Sequence, residues 1–208
     1  MNTLENVLER ARTIHGQKPG DTQKLSAFHA PEVECIGKGK ARTRYEFGVK
    51  ASLATTNERC KGGQFVLGAL SLPGNPYDGH TLGNQLDRVA RVTGRKPARA
   101  YVDRGYRGYG VNREGLEVHV SNTRGVVSPT IRCELRRRNA IEPVIGHMKQ
   151  DGHLERNALK GANGDVINVL LGAIGHNLRL LLAWFRKLLL LILAALLFRS
   201  SAGHIRVA

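Results

Sequence analysis

The sequence is poor in cysteine, and this shortage excludes two classes of protein. Only three of its 208 residues are cysteines, and they include no Cys-x-x-Cys pair. Neither a disulfide framework nor a zinc knuckle is therefore predicted. The charged N-terminus lacks the apolar region of a secretory signal peptide, so none is predicted. We expect Cys35, Cys60 and Cys133 to be buried or idle thiols in a reducing cytoplasm.

Negative charge is also scarce. There are 17 acidic residues against 32 lysines and arginines, which gives a formal net charge of +15. Such an excess favours a polyanionic partner, because each phosphate that is neutralised releases condensed counterions. Nucleic acid is the first candidate and an anionic membrane surface is the second. A soluble basic protein without such a partner is the remaining alternative.

Long apolar runs are missing, with one exception near the C-terminus. Residues 188–198 form an unbroken apolar run of eleven. A helix that crosses a bilayer needs about 20 such residues. Extending the run back to Leu180 includes Arg186 and Lys187. A membrane span is therefore not favoured, and a buried terminal helix or an oligomer contact is expected.

The first half of the chain contains two segments with a strand pattern and two segments with a helical pattern of apolar residues. Residues 2–14 have apolar residues at helical spacing, whereas residues 29–41 look irregular. Segments 45–53 and 63–72 read as strands that could pair as a hairpin. Residues 81–93 are predicted to be helical, with one apolar face formed by Leu82, Leu86, Val89 and Val92.

The second half begins with short strands and ends in helices. Residues 98–103 and 117–121 are predicted to be strands. Residues 131–149 read as a helix interrupted by Pro143, and residues 165–198 as a long helix that could break near Gly175. This order predicts a mixed α/β fold with its helices gathered late in the chain.

Asp103 is the first candidate for chemistry. It follows a short apolar strand and precedes a glycine-rich turn. Ligands of open α/β sheets gather at such strand ends, and a carboxylate there could hold a divalent metal. Capping of the next turn is the equally plain alternative.

Glu142 is the second candidate. Arg138, Glu142 and Lys149 would project within roughly 40° of one another on a continuous helix. Pro143 is comfortable only in a helix's first turn, so the helix could start near Glu142 and only the alignment of Glu142 with Lys149 is firm. One face would then offer a metal-binding carboxylate beside a cation for phosphate. A solvated face of mixed charge is the alternative.

Basic residues recur near both candidate carboxylates, which favours a DNA track over a merely solvated surface. The groups are Lys38, Lys40, Arg42 and Arg44, then Arg104 and Arg107, then Arg132, Arg136, Arg137 and Arg138.

Several segments, in order, resemble the DDE transposases of bacterial insertion sequences, specifically their insertion-sequence-five group. The resemblance implies an RNase-H-like fold, dependence on Mg2+ or Mn2+, and a multimeric synaptic complex. It also implies DNA substrates, namely terminal inverted repeats and target DNA, and a bacterial cytoplasmic, nucleoid-associated location. The segments are residues 29–40, 45–48, 74–82, 100–108 and 141–149.

Residue by residue, the resemblance implies that Asp103 and Glu142 are catalytic and bind metal. Arg138 and Lys149 match the arginine and lysine of the family's Tyr-x2-Arg-x3-Glu-x6-Lys signature, although Leu135 stands at the tyrosine position. Together with Arg104 and Arg107, Arg138 and Lys149 are the expected DNA-binding residues.

The family's first catalytic aspartate has no counterpart that we can identify. Asp21 lies in a polar linker and Asp78 in a turn, and neither is a convincing substitute. The expected fold is therefore a partial RNase-H-like domain, a mixed sheet lacking the first catalytic strand, with C-terminal helices. The chain would be a 5′-truncated copy, a second reading frame joined by frameshifting, or a degenerate remnant.

The expected organisation has three parts. Residues 1–23 form a helix and linker, residues 24–187 the transposase catalytic region, and residues 188–208 an apolar tail. A homo-oligomer and an upstream transposase polypeptide are the expected protein partners. The alternatives are a catalytically inactive DNA-binding remnant and a basic membrane-associated protein.

Overall fold

The computed structural model describes residues 4–22, 24–37, 44–58, 62–122 and 127–202. Among these residues, one helix precedes four consecutive strands, a second helix separates these from two further strands, and three helices follow. The elements are α1 (Leu4–Gly16), β1 (Glu34–Gly37), β2 (Tyr45–Gly48), β3 (Lys50–Thr55), β4 (Val66–Leu72), α2 (Asp78–Thr93), β5 (Arg99–Val102), a 3-10 turn (Arg104–Tyr106), β6 (Glu117–Val120), α3 (Pro129–Arg138), α4 (Ile141–Gln150) and α5 (Gly161–Ala202).

The described strands form three separate pairs. β1 and β2 are antiparallel, β3 and β4 are antiparallel, and β5 and β6 are parallel. The mixed α/β composition with late helices agrees with the sequence prediction. A single mixed sheet does not form within the described part of the chain.

The predicted hairpin is present between β3 and β4. Leu53 pairs with Ala69, and the register shifts between Ala54 and Thr55. Beyond that irregularity, the Thr56 N–H donates to the Phe65 carbonyl at 2.9 Å. Alternation of side chains between the two faces explains why the sequence pattern located this hairpin.

Two hydrophobic cores join elements that are distant in the sequence. α2 is capped at its C-terminus by Gly94, whose φ of 68° suits a glycine, and it buries Leu82 and Leu86 against Val102 of β5. The second core joins β4, α4 and α5 around Met148, which is fully buried. Its other buried members are Val66, Ala69, Val144, Val169 and Ala173.

Several local expectations are corrected. β1 lies within the segment predicted to be irregular, and the predicted strand 45–53 is divided after Gly48, whose φ is 139°. Val92 is 60% exposed although its spacing placed it on the apolar face of α2. α5 continues through Gly175 without a break.

The described thiols are on the surface of the protein. Cys35 and Cys133 are free and exposed, so the expectation of burial is wrong for both. Cys60, Lys38, Lys40 and Arg42 lie outside the described residues.

The second half of α5 projects away from both cores. Every residue from 181 to 198 is exposed, including all eleven members of the apolar run. A terminal helix buried within its own chain is therefore not what the structure shows. By length and composition, Gly161–Phe198 could cross a membrane, with a mean hydropathy of 2.3 in its most apolar part, but one such helix is weak evidence.

Candidate active site

Asp103 stands where β5 ends and the 3-10 turn begins. Its backbone is extended, and its Oδ1 accepts a hydrogen bond from the Gly105 N–H at 3.0 Å. The side chain remains 48% exposed. The capping role and the catalytic role considered for this residue are therefore compatible, because capping occupies one carboxylate oxygen and leaves the group facing solvent.

Arg138 reaches Asp103 from another part of the chain. It is the last residue of α3, and its guanidinium lies 3.3 Å from Asp103 Oδ2. The Arg138 side chain is only 18% exposed, so solvent screens this pair less than a fully exposed one. The contact joins the turn after β5 to the segment that leads into Glu142.

Glu142 lies in the first turn of α4. The helix begins at Ile141, so Pro143 occupies the first turn, where a missing N–H costs nothing. The Glu142 side chain is exposed, and a carboxylate is favourable near a helix N-terminus. Because α3 ends at Arg138 and α4 starts three residues later, the continuous helix that would align Arg138 with Glu142 is not formed.

α3 is held in position by contacts to β5 and to the hairpin. Tyr101 donates its hydroxyl hydrogen to Glu134, and Arg99 pairs with the same carboxylate at 2.8 Å. The hydrogen bond from Tyr101, followed by the charge of Arg99, lowers the pKa of Glu134. Burial raises the pKa of Tyr101. Asn57 Nδ2 also donates to the Glu134 carbonyl at 3.0 Å.

A second acidic residue approaches Asp103 in a way that the sequence did not suggest. A Cβ added at Gly105 would lie 2.5 Å from Asp78 Oδ2 and 3.1 Å from Asp103 Oδ1, so both carboxylates crowd this glycine. Lys50 pairs with Asp78 Oδ1 at 2.7 Å. Two adjacent ion pairs, Lys50 with Asp78 and Arg138 with Asp103, thus offset the repulsion between the two carboxylates.

Residues 13–178 match the family model described as the transposase DDE domain. This match covers well over half of the chain. The chain belongs to the transposase DDE domain family. No curated protein and no solved structure matches it. The family match ends at residue 178, close to the point where α5 leaves the cores.

Transposase DDE domains generally use divalent metals, and the described residues do not complete a site for them. No group of three His, Cys, Asp or Glu side chains able to hold an ion is found among these residues. Asp103 already accepts from Gly105 and Arg138, and Asp78 pairs with Lys50. A two-metal site is normally held by more carboxylates than these.

The expected DNA-binding residues occupy different surroundings. Arg104 is exposed, and its guanidinium donates to the Asn122 carbonyl at 3.3 Å. Arg107 is also exposed, and its carbonyl accepts from the Tyr77 hydroxyl. Lys149 Nζ lies 3.9 Å from Glu46 Oε2. Of the four expected cations, the structure thus brings Arg138 into contact with Asp103, whereas Lys149 points towards β2.

Proposed function

We propose that this transposase takes part in the movement of a bacterial insertion sequence of the insertion-sequence-five group. It binds the terminal inverted repeats and takes part in cutting and joining DNA there. The observation that carries the proposal is the contact between Asp103 and Arg138, two residues that are 35 positions apart. The family resemblance assigns both to the same site, and their meeting supports that assignment.

Within this proposal, Asp103 and Glu142 are catalytic and would hold Mg2+ or Mn2+ together with a further carboxylate. Arg138 holds the Asp103 carboxylate and faces the DNA backbone, where a guanidinium is well suited to phosphate. Arg104 and Arg107 extend the cationic surface along the turn after β5. Lys149 would have to exchange Glu46 for phosphate, and its 3.9 Å contact with that carboxylate is loose enough to permit the exchange.

The missing carboxylate is supplied by an upstream transposase polypeptide. Support comes from the three two-stranded sheets, since two-stranded sheets are rarely stable alone and strand edges readily accept an extended segment. Among the described strands, β3 pairs with β4 only and β5 with β6 only. An added strand between such edges would fill the position expected for the first catalytic strand.

A nicking assay tests this function. The chain is incubated with Mg2+ and DNA bearing the inverted repeat, alone and with the upstream polypeptide. We expect nicking only in the mixture, and we expect Asp103→Asn to abolish it. Glu155→Gln is the matched control, because Glu155 is exposed and the substitution removes the same single negative charge as Asp103→Asn.

The outcomes separate the candidate functions. DNA binding without nicking in any mixture would make the chain a catalytically inactive binding remnant. Absence of salt-sensitive DNA binding would contradict the transposase function altogether.

The exposed second half of α5 supports a further role in assembly. We place the contact of a homo-oligomer on residues 181–198, because an apolar helix in water is normally covered. Membrane association is the competing function that the same exposure favours. Solubility that depends on detergent at all protein concentrations would support the membrane, whereas concentration-dependent oligomers without detergent would support assembly in the cytoplasm at the nucleoid.

A further inference from the structure

A small cationic pocket lies beside the candidate active site. It opens between the residues that follow β6 and one face of α3, and its volume is about 250 Å³. Ordinary cofactor and ligand pockets measure roughly 300–1,000 Å³, so this one suits a single small group. Its lining residues are Ser121, Asn122, Arg132, Leu135, Arg136, Arg138 and Asn139.

The charge of the pocket is only partly compensated. Three arginines line it, and among the described lining residues none is acidic. Arg132 and Arg136 stand four residues apart on α3, where like charges repel. Among the described residues, no carboxylate lies within ion-pairing distance of either of these two guanidinium groups, whereas Arg138 has Asp103. The pocket therefore favours an anion.

The remaining lining groups suit an oxyanion. Ser121 can donate through its hydroxyl, and Asn122 and Asn139 can donate through their amides. Asn122 has a positive φ of 57°, a conformation that is uncommon outside glycine, and Arg104 donates to its carbonyl. This places one more guanidinium next to the pocket and holds the turn that forms its wall.

We propose that this pocket binds one phosphate group of the DNA backbone, with Arg132 and Arg136 as its principal ligands. Because Arg138 belongs both to the pocket and to the ion pair with Asp103, the bound phosphate lies one side chain away from that carboxylate. The pocket thus fixes the register of the strand relative to Asp103. The inference rests on the proposed DNA-binding function and adds the residues and the number of phosphates.

Salt dependence of DNA binding measures the number of phosphates directly. The affinity of the full chain for a short duplex is measured by fluorescence anisotropy between about 50 and 200 mM salt. We expect Arg136→Gln to weaken binding about tenfold. The double variant with Arg132→Gln should lower the slope of log affinity against log salt by about 0.9 in total, because both arginines neutralise the same phosphate.

Two further variants keep this test decisive. Arg12→Gln combined with Arg91→Gln removes the same charge from exposed positions on α1 and α2, and it should leave the slope unchanged. Arg136→Lys keeps the charge but loses the two-pronged geometry, so binding should weaken while the slope is retained. Circular dichroism confirms that each variant is folded.

The outcomes are distinguishable from failure of the proposed function. If the unaltered chain binds no DNA, the proposed function fails first. If it binds DNA and the pocket variants behave like the control pair, only the pocket assignment is overturned. A slope that falls by about 1.8 in the double variant would show two separate phosphate contacts and overturn the single-phosphate pocket.

Free phosphate is the other source of the same anion. Inorganic phosphate is added to the full chain while the arginine Nε–H signals are followed by NMR. Shifts of Arg132 and Arg136 with DNA, and weak or no shifts with millimolar phosphate, support a backbone site. Saturable shifts with inorganic phosphate that DNA does not displace would assign the pocket to a free phosphoryl anion and overturn the proposal.

Discussion

The two halves of α5 differ both in composition and in surroundings. In the first half, Val169 and Ala173 lie in the core around Met148, and Asn177 bonds both backbone groups of Val66, at 2.9 Å and 2.8 Å. In the second half, every residue from 181 to 198 is exposed, although Trp184 still packs edge-to-face on Phe65 with ring centroids 5.4 Å apart. A helix satisfies its own backbone hydrogen bonds and can therefore extend beyond the core on which it packs. Its apolar side chains, in contrast, are buried only where another surface packs against them.

The difference in burial between the two halves of α5 indicates which half contributes to the free energy of unfolding. Small residues, Gly172 and Ala173, let the first half approach its neighbours closely, and an added Cβ at Gly172 would lie 3.4 Å from the Met148 methyl carbon. The second half consists mainly of large apolar side chains, interrupted by Ala183, Ala194 and Ala195. We expect the first half to determine the free energy of unfolding and the second half to determine association. The predictions that follow test this division.

The largest loss of stability is expected for Met148→Ala. Met148 is 0% exposed, and truncating such a buried side chain costs about 2–5 kcal/mol through lost burial and the cavity left behind. Urea unfolding followed by circular dichroism gives the change in the free energy of unfolding. Leu193→Ala, in the second half of α5, is the control and should change it by less than about 0.5 kcal/mol. Equal losses for both variants would contradict the division.

A smaller loss is expected for Asn177→Ala. This change leaves the N–H and the carbonyl of Val66 without their side-chain partner, at a cost of about 1–3 kcal/mol. Asn163→Ala is the matched control, because Asn163 is exposed in the first turn of α5. Hydrogen exchange at the Val66 amide provides a second readout. An unchanged exchange rate in Asn177→Ala would show that the hydrogen bond from the Val66 N–H to the Asn177 side chain is not formed in solution.

Acid should weaken the folded body and leave the second half of α5 unaffected. The pKa of Glu134 is lowered in the folded state, so its contribution is fully present above its ordinary pKa of 4.5 and is lost as the pH falls through the folded value below that. Glu134→Gln should flatten the dependence of stability on pH in this range. Unfolding curves from pH 6 downwards measure it, and a dependence identical to that of the unaltered chain would contradict the role of this carboxylate.

The smallest effect on stability, and the largest on association, is expected from charges placed on the second half of α5. Leu189→Lys with Leu193→Lys should leave the free energy of unfolding within about 0.5 kcal/mol, because both side chains are already exposed. Sedimentation should then show the loss of any oligomer. Val169→Lys, which buries a charge in the first half, should instead unfold the chain. An oligomer that persists in the double variant would exclude residues 181–198 as its contact.

Sequence patterns predicted where helices and strands form better than they predicted which elements pack or pair with each other. The spacing of Leu82, Leu86 and Val89 predicted α2 and its buried face. It could not show that the packing against this face ends before Val92, which is exposed. Pro143 correctly predicted that a helix starts near Glu142. β1 was missed because its strand character depends on pairing with β2, which no local pattern records.

The candidate site shows the same limit. Asp103 was found by its position after a strand, and the family resemblance supplied Arg138, but neither predicted that the two side chains touch. Asp78 was set aside because it lies in a turn, yet it crowds Gly105 beside Asp103. Such contacts depend on how β5, α2 and α3 pack, and packing sums many weak interactions across distant segments.

The sequence by itself determined the strong positive charge, the family, and the start and type of most elements, because these depend on composition and on neighbours along the chain. Only the tertiary structure decided which ionisable groups meet, that the described strands pair in three separate sheets, and that residues 181–198 of α5 are exposed. The physical reason is that apolar side chains specify the need to leave water but not the surface that receives them.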